Sequence, residues 1–281
     1  MMKKIGFIDF RLDEWHANNY PAWIRQANEK LGTDDRLAFA WAEEAEPAGL
    51  LSTAAWCGKF GAEPCGTLEE LCEKSDALMI LAPSNPEKHL PYAERALRFG
   101  KPTYIDKTFA PDAATAAHIF RLSQAHGAPI FSTSALRYAA ELKDYHQARS
   151  AFVTGGGRSL EEYCIHQIEM IVCLMGVGAR FVNCTGDIDH AACHIDYDGG
   201  RGAELLYGAG MPYTLDVQRE AGRPSEYAPV KSAFFPSLLE DIVAFYEDGV
   251  PRVPQEQTME CMKLRQAVLR AAAEPGVRVA V

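Results

Sequence analysis

The chain has 281 residues, 48% hydrophobic and 23% charged, which is enough for roughly two domains that each bury an apolar core. Its formal net charge of −10 argues against nucleic acid or an anionic membrane surface as the main partner. The longest apolar run, Met170–Ala179, is too short for a membrane span, and eight scattered cysteines without a CxxC pair predict reduced thiols in a cytoplasmic protein.

Strands and helices alternate through the first half of the chain. The predicted strands are Lys3–Phe10, Arg36–Trp41, Ala77–Ala82, Thr103–Ile105 and Pro129–Thr133. The predicted helices are Asn19–Leu31, Thr67–Lys74, a helix that runs to Phe99, and Asp112–His126. Because this alternation is typical of a doubly wound parallel sheet, we expect residues 1–134 to form a Rossmann-like dinucleotide-binding domain.

Strands are grouped together in the second half. The predicted strands are Arg180–Cys184, Ala192–Tyr197, Ala203–Tyr207, Thr214–Gln218 and Val277–Val281. The predicted helices are Leu136–Ala148, Ser159–Gly176, Pro236–Glu247 and Gln257–Ala273, and Gly155–Gly157 reads as a flexible turn. This grouping indicates an open, mostly antiparallel sheet with helices on one face, so we assign residues 135–281 to a substrate and oligomerisation domain. Such an open sheet often needs a cover, which favours a homodimer or homotetramer.

The segment Gly100–Ala110, GKPTYIDKTFA, places a charged pair directly after a short buried strand. Gly100 and Pro102 end the preceding helix, and Asp106 and Lys107 follow the strand. Ligands of open α/β sheets bind at this edge, where a desolvated lysine can enter proton chemistry. The alternative is a solvated loop lysine that pairs with Asp106.

The helix Ser159–Gly176 carries a second candidate group. Glu162, His166 and Glu169 fall on one face, at spacings of four and three residues. A carboxylate one turn from an imidazole raises its pKa and holds its ring, which suits a general base. The alternative is that Glu162 caps the helix and His166 is a structural histidine.

One predicted strand of the second half carries residue types that can bind a metal, His190, Cys193 and His194. His190 and His194 share a face of that strand, but Cys193 points to the other side. Since the sequence offers no evident fourth ligand, we predict no metal site.

The loop after the first strand contains no glycine. A diphosphate bound there would meet the carboxylates of Asp9, Asp13 and Glu14, which repel it. Arg11 offers bidentate donors, and a helix N-terminus behind the loop would also attract the anion. Taken by itself, the loop argues against ordinary dinucleotide binding.

Several ordered segments resemble the Gfo/Idh/MocA family, which includes glucose–fructose oxidoreductase and inositol dehydrogenase. GKPTYIDKTFA is similar to the family's GK(P/H)-x-x-x-EKP segment, with Lys107 at the lysine. APSNPEKHLPYAERAL is similar to its (T/A)PN-x-x-H-x-x-x-A segment, and EEYCIHQIEMIVCLMG to its D-x-x-x-H-x-x-D helix, with Glu162 and His166 at the first two positions. FFPSLLEDIVAFYEDGVPRVP resembles the family's late helix. Asp9, Arg11 and Glu14 stand where the family has a glycine-rich loop.

The resemblance implies hydride transfer between NAD or NADP and a CH–OH group of a sugar, cyclitol or related polyol. In this reading His166 is the base, Lys107 donates to the developing alkoxide, and Glu162 orients His166, in a cleft between the domains. The cofactor is expected at the strand ends, at Phe10, Arg11, Leu12, Glu43, Ala82, Pro83, Ser84, Asn85, His89 and Asp106. Glu43 weakly favours NAD, because a carboxylate accepts ribose hydroxyls and repels a 2′-phosphate.

Two alternatives remain open at the level of sequence. The first is a non-catalytic ligand-sensing or regulatory protein on the same fold, which the glycine-free loop favours. The second is a glycoside-cleaving enzyme in which the same base removes a carbon proton without net change in the cofactor.

Overall fold

A computed structural model describes residues 2–281, which divide into two compact units. The first unit contains the described residues up to Thr133 together with Phe235–Pro254. The second contains Ser134–Phe234 and Gln255–Val281. The sequence analysis assigns Phe235–Pro254 to the second domain, whereas the structure packs this segment with the first unit.

The first unit is built on a six-stranded sheet in which every pair of neighbours is parallel. Its strands are β1 (Lys4–Asp9), β2 (Arg36–Ala42), β3 (Glu63–Pro64), β4 (Ala77–Ile80), β5 (Thr103–Ile105) and β6 (Ile130–Phe131), in the order β3-β2-β1-β4-β5-β6. Its helices include α1 (Trp15–Leu31), α2 (Thr53–Phe60), α3 (Leu68–Lys74), α4 (His89–Ala96) and α5 (Ala113–His126). Every residue of β4 is buried, as in a strand covered on both faces. The doubly wound parallel sheet predicted from sequence is confirmed.

The second unit is built on a seven-stranded mixed sheet. Its strands are β7 (Ser150–Gly155), β8 (Ala179–Gly186), β9 (His190–Tyr197), β10 (Gly202–Gly208), β11 (Thr214–Gln218), β12 (Glu226–Pro229) and β13 (Arg278–Ala280), in the order β12-β11-β7-β10-β9-β8-β13. The β7–β10 pair is parallel and the others are antiparallel. The remaining helices of the chain are α6 (Leu160–Met175), α7 (Phe234–Asp248) and α8 (Gln255–Ala273). The mostly antiparallel sheet is also confirmed.

Side-chain burial shows why α7 belongs to the first unit. The Tyr246 hydroxyl donates to the Leu78 carbonyl of β4 at 2.8 Å. The ring of Phe245 packs edge-on against Phe131 of β6, with centroids 4.9 Å apart. Two aromatic side chains of α7 therefore help to cover the parallel sheet.

The predicted helix Leu136–Ala148 is wrong. The chain instead makes two short 3₁₀ turns, Ala135–Tyr138 and Ala140–Leu142. The Ser134 hydroxyl caps the first turn, and Ala139 adopts extended backbone angles that separate the two. A favourable local helix propensity is thus overridden by this cap and break.

The expectation that all cysteines are reduced is also wrong. Cys184 on β8 lies directly opposite Cys193 on β9, and the two are joined by a disulfide. The sulfur of Cys193 is bonded in this disulfide and is not a free metal ligand. The His194 imidazole contacts the carboxylates of Glu204 and Asp196. Residues 2–281 contain no group of three or more side chains arranged to hold a metal ion. None of the helices described is long and apolar enough to cross a membrane.

Candidate functional site

Lys107 lies immediately after β5 and is largely buried, with 9% of its surface exposed. Its Nζ donates to the carbonyl oxygen of Pro83, just beyond β4, at 2.9 Å. Asp106 is 1% exposed, and its Oδ1 accepts from the hydroxyls of Tyr104 at 3.2 Å and Tyr20 at 3.4 Å. The alternative of a solvated lysine paired with Asp106 is therefore wrong, and the ammonium is a buried charge at the ligand edge of the sheet.

An imidazole lies between two carboxylates beside this edge. His16 Nδ1 is 3.5 Å from Glu14 Oε2 and 3.6 Å from Asp106 Oδ2. Within residues 2–281, neither His16 Nδ1 nor Asp106 Oδ2 has a hydrogen-bond partner. The imidazole of His16 and the carboxylates of Glu14 and Asp106 thus lie close together in the first unit. The sequence analysis did not assign His16 to the site.

Asp9 is the last residue of β1 and is buried. Its Oδ1 accepts from the N–H groups of Phe10 at 2.7 Å and Ala82 at 3.0 Å. This side chain joins the end of β1 to the segment after β4, where Ala82 has a positive φ of 48°. Burial, followed by the nearby Glu14 carboxylate, raises the pKa of Asp9 well above its ordinary value.

Glu14 caps the helix that follows the loop. Its carboxylate accepts from the backbone N–H groups of His16, at 2.8 Å, and Ala17. The neighbouring Asp13 N–H donates to Glu46 at 2.9 Å. The backbone donors that a diphosphate would use at the start of α1 are therefore already bound to carboxylates. While Glu14 occupies this position, the loop does not fit the diphosphate of a dinucleotide.

The remaining loop residues form a polar rim. Arg11 pairs with Glu44 at 2.9 Å, and its guanidinium lies 5.1 Å from the ring centre of Phe10. Glu43 accepts from Tyr92 at 2.5 Å and from Lys88 at 2.9 Å. The Tyr92 hydrogen bond is the main reason that the pKa of Glu43 is lowered. Glu43 is therefore an ionised, partly exposed acceptor after β2, where a ribose would be recognised.

The segment after β4 contributes mainly backbone groups. Pro83 supplies the carbonyl bound by Lys107, and Asn85 donates to Glu87 at 2.9 Å. His89 is fully buried, with ring nitrogens 2.6 Å from the Leu81 carbonyl and 3.1 Å from the Phe109 carbonyl. Its ring has no exposed surface for a cofactor, so it supports the strand ends from inside. Leu12 is likewise buried and packs in the core, whereas Ser84 is exposed.

The second unit holds His166 on α6. His166 Nδ1 is 2.7 Å from the Ser134 hydroxyl, and its ring lies near those of Tyr163 and Tyr213, with centroids 5.7 and 6.1 Å away. The carboxylate of Glu162 forms an ion pair with Arg158. Ser134, 32 residues away in sequence, was missed by the sequence analysis. The orienting role expected of Glu162 remains a prediction.

A buried ion pair supports Ser134. Glu169 Oε1 accepts from the Ser134 N–H at 3.2 Å, and Glu169 Oε2 lies 2.6 Å from Arg137 Nη2. Arg137 also donates to Gln257 at 2.6 Å. Glu169, placed by its spacing on the face of His166, therefore anchors the segment that carries the imidazole's hydrogen-bond partner.

The three glycines at the end of β7 are packed rather than flexible, so the predicted flexible turn is wrong. A Cβ at Gly155 or Gly157 would overlap the rings of Tyr213 and Tyr163, respectively. A Cβ at Gly156 would overlap the Gly208 carbonyl oxygen. The glycines thus leave room for the two tyrosines beside His166.

Comparison with solved structures identifies the fold. The chain superposes on UDP-N-acetylglucosamine 3-dehydrogenase from Acidithiobacillus ferrooxidans with a TM-score of 0.78, 16% identity and 98% of each chain covered. It superposes on an NAD-binding oxidoreductase from Klebsiella pneumoniae with a TM-score of 0.78, 14% identity and 99% of each chain covered. A protein of gentamicin A biosynthesis, solved with NAD, gives a TM-score of 0.78 at 12% identity, with 100% of this chain and 97% of that chain covered.

This chain has the fold of those three proteins. No family model matches its sequence, and no curated protein does so either. The superpositions cover both units, and the shared fold agrees with the architecture implied by the sequence motifs around Lys107 and His166.

Proposed function

We propose that the protein is a nicotinamide-dependent oxidoreductase acting on a CH–OH group of a sugar, cyclitol or related polyol. The observation that carries the proposal is the buried Lys107 ammonium at the carboxyl end of β5, in a chain with the fold of sugar dehydrogenases. A charged amine with one backbone acceptor has N–H groups left for a substrate oxygen. A bound nicotinamide would supply the hydride acceptor or donor.

The side chains divide the proton chemistry between them. His166 takes the hydroxyl proton, a role that in positioned bases contributes about 10²–10⁴-fold. Lys107 donates to the oxygen that becomes negative, where a charge of fixed position stabilises it best. Ser134 and Glu162 are positioning residues, because they act through His166. The dinucleotide proposed is NAD rather than NADP, since ionised Glu43 would accept ribose hydroxyls and repel a 2′-phosphate.

Substitution of Lys107 tests this proposal. Lys107→Met should abolish polyol oxidation with saturating NAD, because no other group replaces the donor. Lys101→Met is the matched control, since Lys101 Nζ also donates to backbone carbonyls, those of Cys72, Glu73 and Ser75. The control should lose thermal stability and keep turnover. Equal turnover in both variants would contradict the role of Lys107.

A second candidate function is ligand sensing or regulation without dinucleotide chemistry. Glu14 favours it, because its carboxylate occupies the helix N-terminus that a diphosphate would need. Trp15 is 53% exposed and follows Glu14 in the chain, so its fluorescence would report on a ligand that binds there. Failure of NAD, NADP and NADH to change that fluorescence at millimolar concentration would favour the sensor.

The exposed face of the second sheet and the free cysteines bear on assembly and location. We propose a homodimer or homotetramer, because Phe152 and Tyr227 are exposed on the strands of the seven-stranded sheet. Light scattering of the purified chain would test it, and a monomer would contradict it. A cytoplasmic location is proposed because the six other cysteines are free thiols, five of them buried.

A further inference from the structure

The Glu14 carboxylate lies at the N-terminus of α1. In doubly wound parallel sheets this position ordinarily binds a negatively charged group of the ligand. Helix α1 is 17 residues long and begins directly after the loop that follows β1. Its first-turn N–H groups and its dipole make that end attractive to anions. The Glu14 carboxylate accepts from two of those groups, so these two donors are already bound by the chain itself.

The rest of the loop offers little positive charge to an entering diphosphate. Asp9 is 1% exposed, and its Oδ2 has no hydrogen-bond partner anywhere in the described part of the chain. Arg11, the cation of the loop, is paired with Glu44. The group near Glu14 that can become cationic is His16, at 3.5 Å. A diphosphate entering here would add two charges to an already acidic loop.

On the basis of the proposed function, we propose that Glu14 controls cofactor affinity by competing with the diphosphate for the N-terminus of α1. The dinucleotide binds only after the Glu14 side chain has turned away and released the N–H groups of His16 and Ala17. The wild-type protein therefore binds dinucleotides weakly, and the strength of binding is set by this one carboxylate. Glu14 therefore sets the affinity for the cofactor, and it is distinct from the groups that move protons.

The test compares two neutralised helix caps. Glu14→Gln removes the charge at α1, and Asp112→Asn does the same at α5, where Asp112 accepts from the Thr115 N–H at 2.7 Å. Inorganic pyrophosphate and NADH are titrated into each protein by calorimetry. If Glu14→Gln folds poorly, Glu14→Ser serves instead, because a serine hydroxyl caps a helix without charge.

We expect Glu14→Gln to bind both probes at least tenfold more tightly than the wild type, while Asp112→Asn matches the wild type. Unchanged pyrophosphate affinity in Glu14→Gln would overturn the inference, whatever NADH does. Tighter pyrophosphate binding without NADH binding in any variant would uphold the inference and contradict the oxidoreductase proposal. Equally tight NADH binding by wild type and variant would uphold the oxidoreductase and overturn the inference.

Discussion

The buried Arg137–Glu169 pair gives a sharp test of how His166 is held in place. Burial lowers the pKa of Arg137, but the Glu169 carboxylate, with smaller contributions from Cys173 and Cys261, raises it by more in total, so the guanidinium stays charged. Glu169→Ala would leave that charge buried without its carboxylate, which costs about 3–5 kcal/mol. It would also remove the acceptor of the Ser134 N–H. The free energy of unfolding of Glu169→Ala, measured in urea at neutral pH, should therefore be about 3–5 kcal/mol lower than that of the wild type.

A double-mutant cycle separates the pair from the packing around it. Arg137→Met combined with Glu169→Leu replaces both charges by apolar groups and should be less destabilising than Glu169→Leu alone, and the two single variants complete the cycle. Glu69→Ala is the matched control, because Glu69 forms a two-bond pair with Arg95 that is substantially exposed. Exposed pairs contribute about 0–1 kcal/mol. Equal losses for Glu69→Ala and Glu169→Ala, or strict additivity in the cycle, would refute this reasoning.

Three further predictions concern the Ser134–His166 hydrogen bond, the buried Asp35 carboxyl and the packed glycines at the end of β7. Ser134→Ala should lower kcat about fivefold with KM unchanged, because His166 loses a hydrogen bond of about 1 kcal/mol, and Ser134→Thr should restore it. Burial raises the pKa of Asp35 to about 6, so the folded state holds a proton that the unfolded state releases. As the pH rises from about 4 to 6, the free energy of unfolding of the wild type should therefore fall relative to that of Asp35→Asn by up to about 3 kcal/mol, and above pH 6 the difference should stay constant. A difference that does not depend on pH in denaturant titrations would contradict this. Gly156→Ala should destabilise the protein more than Gly157→Ala, because the added Cβ at 156 meets the backbone oxygen of Gly208, whereas at 157 it meets the Tyr163 ring, which can move. The reverse order of melting temperatures would contradict this account of the packing.

Patterns within a few residues were enough to predict much of the fold. Continuous apolar runs such as β4 identified the parallel sheet, and the stop signals at Gly100 and Pro102 placed Lys107 at a strand end. The capping spacing from Ser159 to Glu162 correctly predicted the start of α6. These features depend on local propensity and periodicity, which a single sequence carries.

What the sequence could not supply depends on pairing between distant segments. The Cys184–Cys193 disulfide requires the register of β8 on β9, and the Ser134–His166 bond joins residues far apart in the chain. The packed glycines after β7 need the positions of Tyr163 and Tyr213 to be understood. The role of Glu14 is a different case, because its charge was visible but its contact with its own helix was not.

The central claim is that this chain transfers hydride between a polyol carbon and nicotinamide. The most direct measurement is transfer of deuterium from carbon-deuterated polyols to NAD, detected in the nicotinamide by mass spectrometry at saturating cofactor. The account predicts deuterium in the nicotinamide with the wild type and none with Lys107→Met. An unlabelled nicotinamide with the wild type, across sugars and cyclitols that demonstrably bind, would contradict it.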